Sequence, residues 1–596
     1  MGERVIQRLG TIVLDLCWDG LTESQRNEIE HNVFRFGMYE TTYGPLWDDP
    51  DKAIKVNYED PPGFVPAGLV LGDPGPRRGL HDFFRLVNKM VCSDGVHICS
   101  IGTYGGPRMY LKFMKMLHDL GVDVKAGNPA LRNAFLAYPR LVFSCGSVQP
   151  MDDGGGGQEL LGLWPTFGSP DAEQYEWGYA LFGDPLFPMM ADFLTQLGHA
   201  AYHEKRPHER ANNIRRFYAR HAEGLAGEDG RFPLAQIWPP VFVAPDKGMA
   251  MLRNRVASDP LDWIEVLFDY GKYGGRFHGH PSKLSILTAY NGQIGSQDFG
   301  DLTRNATEGN NDWFMGGYSH NTVQVDFRPH RSAGGPVQIG RLIAAGGDAE
   351  VQWVDADSDR MFDGVTMRRT VFLTDAGIVD FTLCRSDREH IYDWPYHNLG
   401  IATTATALVT TNLSAQGLLR FVTDARGGRE EGLIQVTWKD APLSTPPRKG
   451  QTSLIDEEVY ARLWMLPEKE TELILFAGPT VSSITEEKQI DYAMVRRRVS
   501  STVFAAVIEP WRVSTGPKIK AVEKLPVAAG GHHVSDTDAI AIHVTRQDGR
   551  AYVFFVNYSS GEKVVGSNRK VSADATCWTL RPDGSLESVH TSITNP

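Results

Sequence analysis

Cysteine is scarce and scattered: the 596 residues hold six, at positions 17, 92, 99, 145, 384 and 577, with no CxxC pair. That excludes a zinc ribbon and a dense disulfide framework. Long apolar runs are also missing, and none approaches the ~20 residues that a membrane span needs. The opening MGERVIQRLGTIVLDL reads as an amphipathic helix, without the apolar stretch and cleavage site of a signal peptide. The chain therefore reads as soluble and without an export signal. That makes it cytoplasmic unless a leader was trimmed, in which case it is periplasmic or secreted. Positive charge is in deficit, 60 Lys+Arg against 73 Asp+Glu, for a net charge of −13. A general nucleic-acid binder is disfavoured, and a polyanionic partner requires cations gathered locally in a cleft. Short-period repeats are absent, and the only low-complexity tract is GGGG at 154–157.

What remains is a folded protein, 42% hydrophobic and 22% charged, and too long for one ordinary core. Up to about residue 235, RVIQRLGTIVLDLCW, LHDFFRLVNKMV, PRMYLKFMKMLHDLGV, PALRNAFLAYPRLVF and PLFPMMADFLTQLGHAAY space apolar residues by three and four. That is a helical period, broken by Gly/Pro connectors such as EDPPGFVPAG. From about 240 the period becomes that of strands, as in KLSILTAYNGQIG, RRTVFLTDAGIVDFTL, STVFAAVIEPW and AYVFFVNYSS, with NG and DAG turn signals. Helices followed by strands predict an α+β multidomain chain, with an N-terminal α/α bundle or toroid and then antiparallel β-sheet or β-sandwich domains. The expected divisions are 1–235, 236–480 and 481–596.

RFHGHPSKLS, residues 276–285, reads as a strand with His278 and His280 on one face, since side chains two apart on a strand point the same way. Downstream, Asp298 and His320 complete a set of two imidazoles and a carboxylate that could hold a metal. Ordinary polar residues at strand ends would read the same way.

Three segments in order, DYGKYGGRFHGHPSKLSILTAYNGQ, SHNTVQVD and REHIYDWPYHNLG, resemble the heparinase II/III-like polysaccharide lyases over about residues 262–400. The resemblance implies an α/α toroid followed by antiparallel β domains. It also implies cleavage of a uronic-acid polysaccharide, glycosaminoglycan or alginate, by β-elimination to 4,5-unsaturated uronate products. It places the metal ligands on His280, Asp298 and His320, with Zn2+ the usual ion and Mn2+ tolerated by the same donors. His278 would face the sugar beside them. SDGVHICSIGTYGGPRMY, residues 93–110, is similar to the family's Asp-Gly segment leading to a catalytic tyrosine, which puts the base/acid on Tyr104, with Tyr110 as rival.

Elimination must neutralise the uronate carboxylate, remove the C5 proton and protonate the leaving oxygen on C4. By the same resemblance Asn57 is the neutralising amide. Tyr58 stands where the family carries histidine, and His97 could supply that imidazole. Anionic sugar binding would fall to Arg108, Arg276, Lys283 and Arg328, since guanidinium matches carboxylate or sulfate. Trp177 would be a stacking platform in a loop between helices. Ser282 stands where relatives often have an acidic residue and cannot pair with Lys283. His390 and His397 read as shaping the sheet, and Arg496–Arg498 as a solvated face. Two other classes stay open: a glycoside hydrolase on an α/α toroid using Asp152, Asp153 or Glu159, and an inactive carbohydrate-binding relative.

Overall fold

The computed structural model describes residues 17–29, 84, 88, 91–96, 111, 114–115, 117–119, 121–145, 172–198, 207–222, 234–273, 280, 283–296, 298, 313, 316–330, 337–439, 457–479, 489–566 and 568–592. By their internal contacts they divide into two units, 1–138 with 165–192, and 139–164 with 193–596. The main described helices are α1 (Leu131–Arg140), α2 (Ala172–Phe182), α3 (Leu186–Gly198) and α4 (Pro207–Ala222). The toroid expected over 1–235 is not laid out among the described elements. None of the described helices is long and apolar enough to cross a membrane.

The segment expected as a loop around Trp177 is helix α2. Its Gly178 lets the helix approach the rings of Phe187 and Phe135, where a Cβ would sit 2.9–3.1 Å away. Trp177 is buried, 5.6 Å from the Phe135 ring. Flanking Asp, Gly and Pro residues imitated a loop, while burial of the aromatic face supplied the helix.

In the second unit, β1 (Val241–Ala244), β2 (Met249–Asn254), β3 (Ile264–Asp269), β4 (Ser285–Tyr290) and β5 (Gln293–Ser296) form an antiparallel sheet in chain order. β2, β3 and β4 are buried along their whole length, which is why their sequences are apolar runs and not alternations.

A larger antiparallel sheet follows. It contains β6 (Gln324–Val325), β7 (Arg341–Gly347), β8 (Gln352–Phe362), β9 (Val365–Thr374), β10 (Gly377–His397), β11 (Ile401–Thr404), β12 (Ile434–Lys439), β13 (Val459–Met465), β14 (Glu472–Pro479) and β15 (Gln489–Arg512). Its order is β11-β12-β13-β15-β10-β9-β8-β7, with β6 on β10 and β14 on β15. The boundary expected at 480–481 therefore falls inside this sheet, because the 24-residue β15 pairs with β10, β13 and β14.

Arg496–Arg498 is not a solvated face throughout. Arg496 grips Asp393 through two hydrogen bonds, and Arg497 is fully buried on Leu466 O and Val503 O. Alternate residues of β15 face opposite sides: Arg496 is partly buried on Asp393 and Arg497 fully buried, while Arg498 is exposed beside Glu389.

The last sheet runs Ile519–Leu525, Ala539–Arg546, Ala551–Asn557, Ala575–Leu580 and Leu586–Thr591. Its alternation has a visible purpose. Ile540, Ile542, Tyr552, Phe554 and Val556 pack with Trp353, Phe372 and Phe381 of the larger sheet. Ala541, Val553 and Phe555 pack with Val527, Val565 and Val571 on the other side.

The β9–β10 turn pins this sheet down. Asp375 accepts from Tyr552 Oη at 2.7 Å and pairs with Arg546, while Lys518 Nζ reaches its carbonyl at 2.8 Å. Burial would raise the Asp375 pKa, but Arg546, Tyr552 and Lys518 outweigh it and hold the carboxyl below its usual value. Its stabilisation is therefore present above the unfolded pKa of ~3.9 and lost as pH falls through the lower folded value. Asp375→Asn is expected to cost on the order of 1–3 kcal/mol at neutral pH. Urea unfolding should show that difference shrinking below about pH 4.

Candidate metal centre

Asn291 and Gly292, at φ 53° and 69°, form the two-residue turn between β4 and β5, where left-handed conformations at both positions favour Asn-Gly. The hairpin folds back so that residues before β4 and after β5 meet at its open end. His280 and Asp298 are those residues. A register shift in the hairpin is bridged by side chains: Thr288 N donates to Ser296 Oγ at 3.1 Å, and Ser296 N to Thr288 Oγ1 at 3.0 Å.

His280 is not itself in a strand. β4 begins only at Ser285, directly after a left-handed Leu284 (φ 54°). That conformation costs a leucine roughly 1–2 kcal/mol. His320 arrives from elsewhere, closing the short turn Gly317–Ser319 ahead of β6.

All three side chains are buried, and one donor atom from each lies within 4.8 Å of the others. His280 Nδ1 is 3.3 Å from Asp298 Oδ1, and His320 Nδ1 is 3.7 Å from Asp298 Oδ2. A tetrahedron with Zn–N and Zn–O arms of ~2.0–2.1 Å has edges of about 3.3–3.4 Å. Two imidazoles and a carboxylate so spaced fit a divalent ion. Behind them lies an aromatic wall: the Tyr492 ring is 5.0 Å from His397 and stacks on Phe476. Burial, with the Asp298 charge adding to it, raises the Tyr492 phenol well above its ordinary pKa and keeps it neutral.

Lys283 is corrected by the structure. It is fully buried, and its ammonium donates to Asp269 Oδ2 at 2.6 Å, so it holds β3 to the His280 segment instead of meeting sugar. Asp269 lies at the end of β3, opposite Ser285, and supplies the charge that Ser282 lacks. Trp177 is likewise enclosed by aromatic rings and offers no open stacking face. Arg328 is exposed just after β6. Tyr104, His278, Asn57, His97, Arg108 and Arg276 lie outside the described residues.

His390 shares a hydrogen bond with Asp326 at 2.7 Å and is buried, and His397 lies against Tyr492; both shape the sheet. Asn321 was not singled out by sequence, yet its Oδ1 accepts from His397 N at 2.9 Å and its Nδ2 donates to Ile286 O at 3.3 Å. Its place beside His320 in SHN was the available signal.

Residues 238–491 match the family described as "Heparinase II/III-like, C-terminal". No curated protein matches the chain in sequence. Among solved structures, a heparinase III gene product is similar with a TM-score of 0.52 and 14% identity, covering 88% of this chain and 67% of its own. A structure of heparinase III gives 0.53 and 13%, over 90% and 74%. The heparan sulfate lyase HepC from Pedobacter heparinus gives 0.51 and 10%, over 85% and 66%. At these identities the likeness is one of fold.

Proposed function

We propose, from the match of residues 238–491 to the family described as "Heparinase II/III-like, C-terminal", β-elimination on a uronic-acid-containing polysaccharide, a glycosaminoglycan or alginate, to 4,5-unsaturated uronate products. The observation that carries this reading is the buried His280–Asp298–His320 group, set within the matched residues.

Tyr104 serves as base and acid, Asn57 and His97 neutralise the uronate carboxylate, and His278 faces the sugar. Arg108, Arg276 and Arg328 provide cations for an anionic polymer on a chain that is acidic overall. In this reading the helical N-terminal region is the α/α toroid that carries the tyrosine loop. Zn2+ suits the donor set best, and Mn2+ tolerates it. Bound there, the ion supplies a fixed positive charge and a cross-link; elimination consumes no water, so no activated water is required.

The test is ultraviolet absorbance of the C4–C5 double bond during incubation with alginate, hyaluronan, chondroitin sulfate, heparan sulfate and heparin. A rise on any polymer supports elimination and names the substrate class. New reducing ends without absorbance would mean hydrolysis and sink the proposal. Chelation gives a second check. Stripping the metal is expected to lower the melting temperature, and an ion at 100 times its Kd stabilises by about 2.7 kcal/mol. Calorimetry with and without chelator measures it.

A further inference from the structure

We propose that the buried Arg369–Asp380 pair is the positioning device of the metal centre, fixing the His280 and His320 segments to each other; the inference rests on the metal reading above. Arg369 sits on β9 and Asp380 on β10, on the same sheet face, and both are almost wholly buried. One edge of the guanidinium is spent on the carboxylate, with Nε on Asp380 Oδ1 at 3.0 Å and Nη2 on Oδ2 at 2.6 Å. Its remaining donor, Nη1, bonds two backbone carbonyls at once, Leu284 O and Asn321 O, each at 2.5 Å.

Those two carbonyls belong to the ligand segments. Asn321 directly follows His320. Leu284, four residues after His280, is the left-handed residue immediately before β4, and its carbonyl accepts from Arg369 in that conformation. Ile286 N also donates to Asn321 O at 3.4 Å, and Thr322 Oγ1 donates to Lys283 O at 2.8 Å. The seam between the two segments thus consists of backbone groups with Arg369 as its charged rivet. Asp380 aims the rivet, and Thr382 Oγ1, donating to Asp380 Oδ1 at 3.0 Å, aims Asp380.

Lysine could not substitute. An ammonium is a point charge, and only the planar fork spans a carboxylate and two carbonyls in one arrangement. Groups that orient ligands from behind govern how well the ligands hold their ion.

The neighbouring residue supplies an internal control. Arg368 points to the opposite face, as alternate strand residues do. It forms an equally tight fork on Asp355, at 3.1, 3.1 and 2.5 Å, and reaches Asn557 O. It is a partly buried fork on a buried carboxylate on the same strand, directed away from the ligands.

The experiment uses the full chain stripped of metal and titrated with Zn2+ against a competing chelator, with Co2+ visible spectra alongside. Arg369→Lys and Asp380→Asn are expected to weaken Zn2+ binding by about 10–100-fold and to change the Co2+ spectrum. Arg368→Lys is expected to lower the melting temperature comparably, yet to bind Zn2+ with an affinity close to that of wild type. If Arg369→Lys does not fold, Asp380→Asn decides. Wild-type affinity and spectrum in both Arg369→Lys and Asp380→Asn, beside a wild type that binds Zn2+, would overturn this inference and leave the lyase reading standing. An equal loss in Arg368→Lys would overturn it too, by reducing the effect to general stability. A wild type that binds no metal would remove the metal reading as well, whatever the absorbance assay shows.

Discussion

Tyr104→Phe is expected to lower turnover on the preferred polymer by roughly 10²–10⁴-fold, the range for losing a positioned general acid–base. The substitution removes one oxygen and leaves the ring. Binding of the polymer and of the metal should persist, so the loss belongs in kcat and not in KM. A phenol has a pKa of ~10, and neighbouring cations lower it by favouring the phenolate; Arg108, four residues on, is the cation nearest in sequence. Absorbance kinetics of wild type and variant, with Zn2+ content measured on both, check the result. Activity that survives would move the base to Tyr110 or a histidine while keeping the elimination. Loss of metal together with activity would mean that the variant is structurally damaged and says nothing for the role of Tyr104.

Lys283→Met should destabilise the protein by about 3–5 kcal/mol, because it leaves the Asp269 carboxylate buried without its ammonium. The 2.6 Å bond and full burial of Lys283 put this among the costliest single changes in the site region. A second substitution, Asp269→Leu, should restore much of the stability, since an apolar pair avoids the desolvation that the ions suffer. Urea unfolding of the single and double variants measures the cycle. A lysine that met the sugar would behave differently: Lys283→Met would raise KM and leave the unfolding midpoint where it was. That outcome would overturn the structural assignment.

Much of the fold was legible because it is written locally. Asn291-Gly292 and the Asp375–Gly377 step are turn signals, and each sits at a hairpin in the structure. The unbroken apolar run in Ala551–Asn557 matches a strand with both faces entering apolar clusters. His280, Asp298 and His320 were legible as ligands only through the resemblance, since the hairpin at Asn291-Gly292 brings His280 to Asp298 while His320 comes from a separate segment. Trp177 and Arg497 misled for a common reason. Their polar or turn-like neighbours describe a loop or a surface, and only packing from distant strands or helices buries them.

The amino-acid order by itself determined the strand-rich C-terminal half and its hairpin turns, because period and turn chemistry act over a few residues; His280, Asp298 and His320 were assigned as a ligand set only through the family resemblance. Tertiary structure decided what holds those donors in place. Lys283 finds its charge on Asp269, 14 residues back. Arg369 joins carbonyls 85 and 48 residues away. Such partners follow from strand register and sheet order, which bring together groups that no local pattern connects.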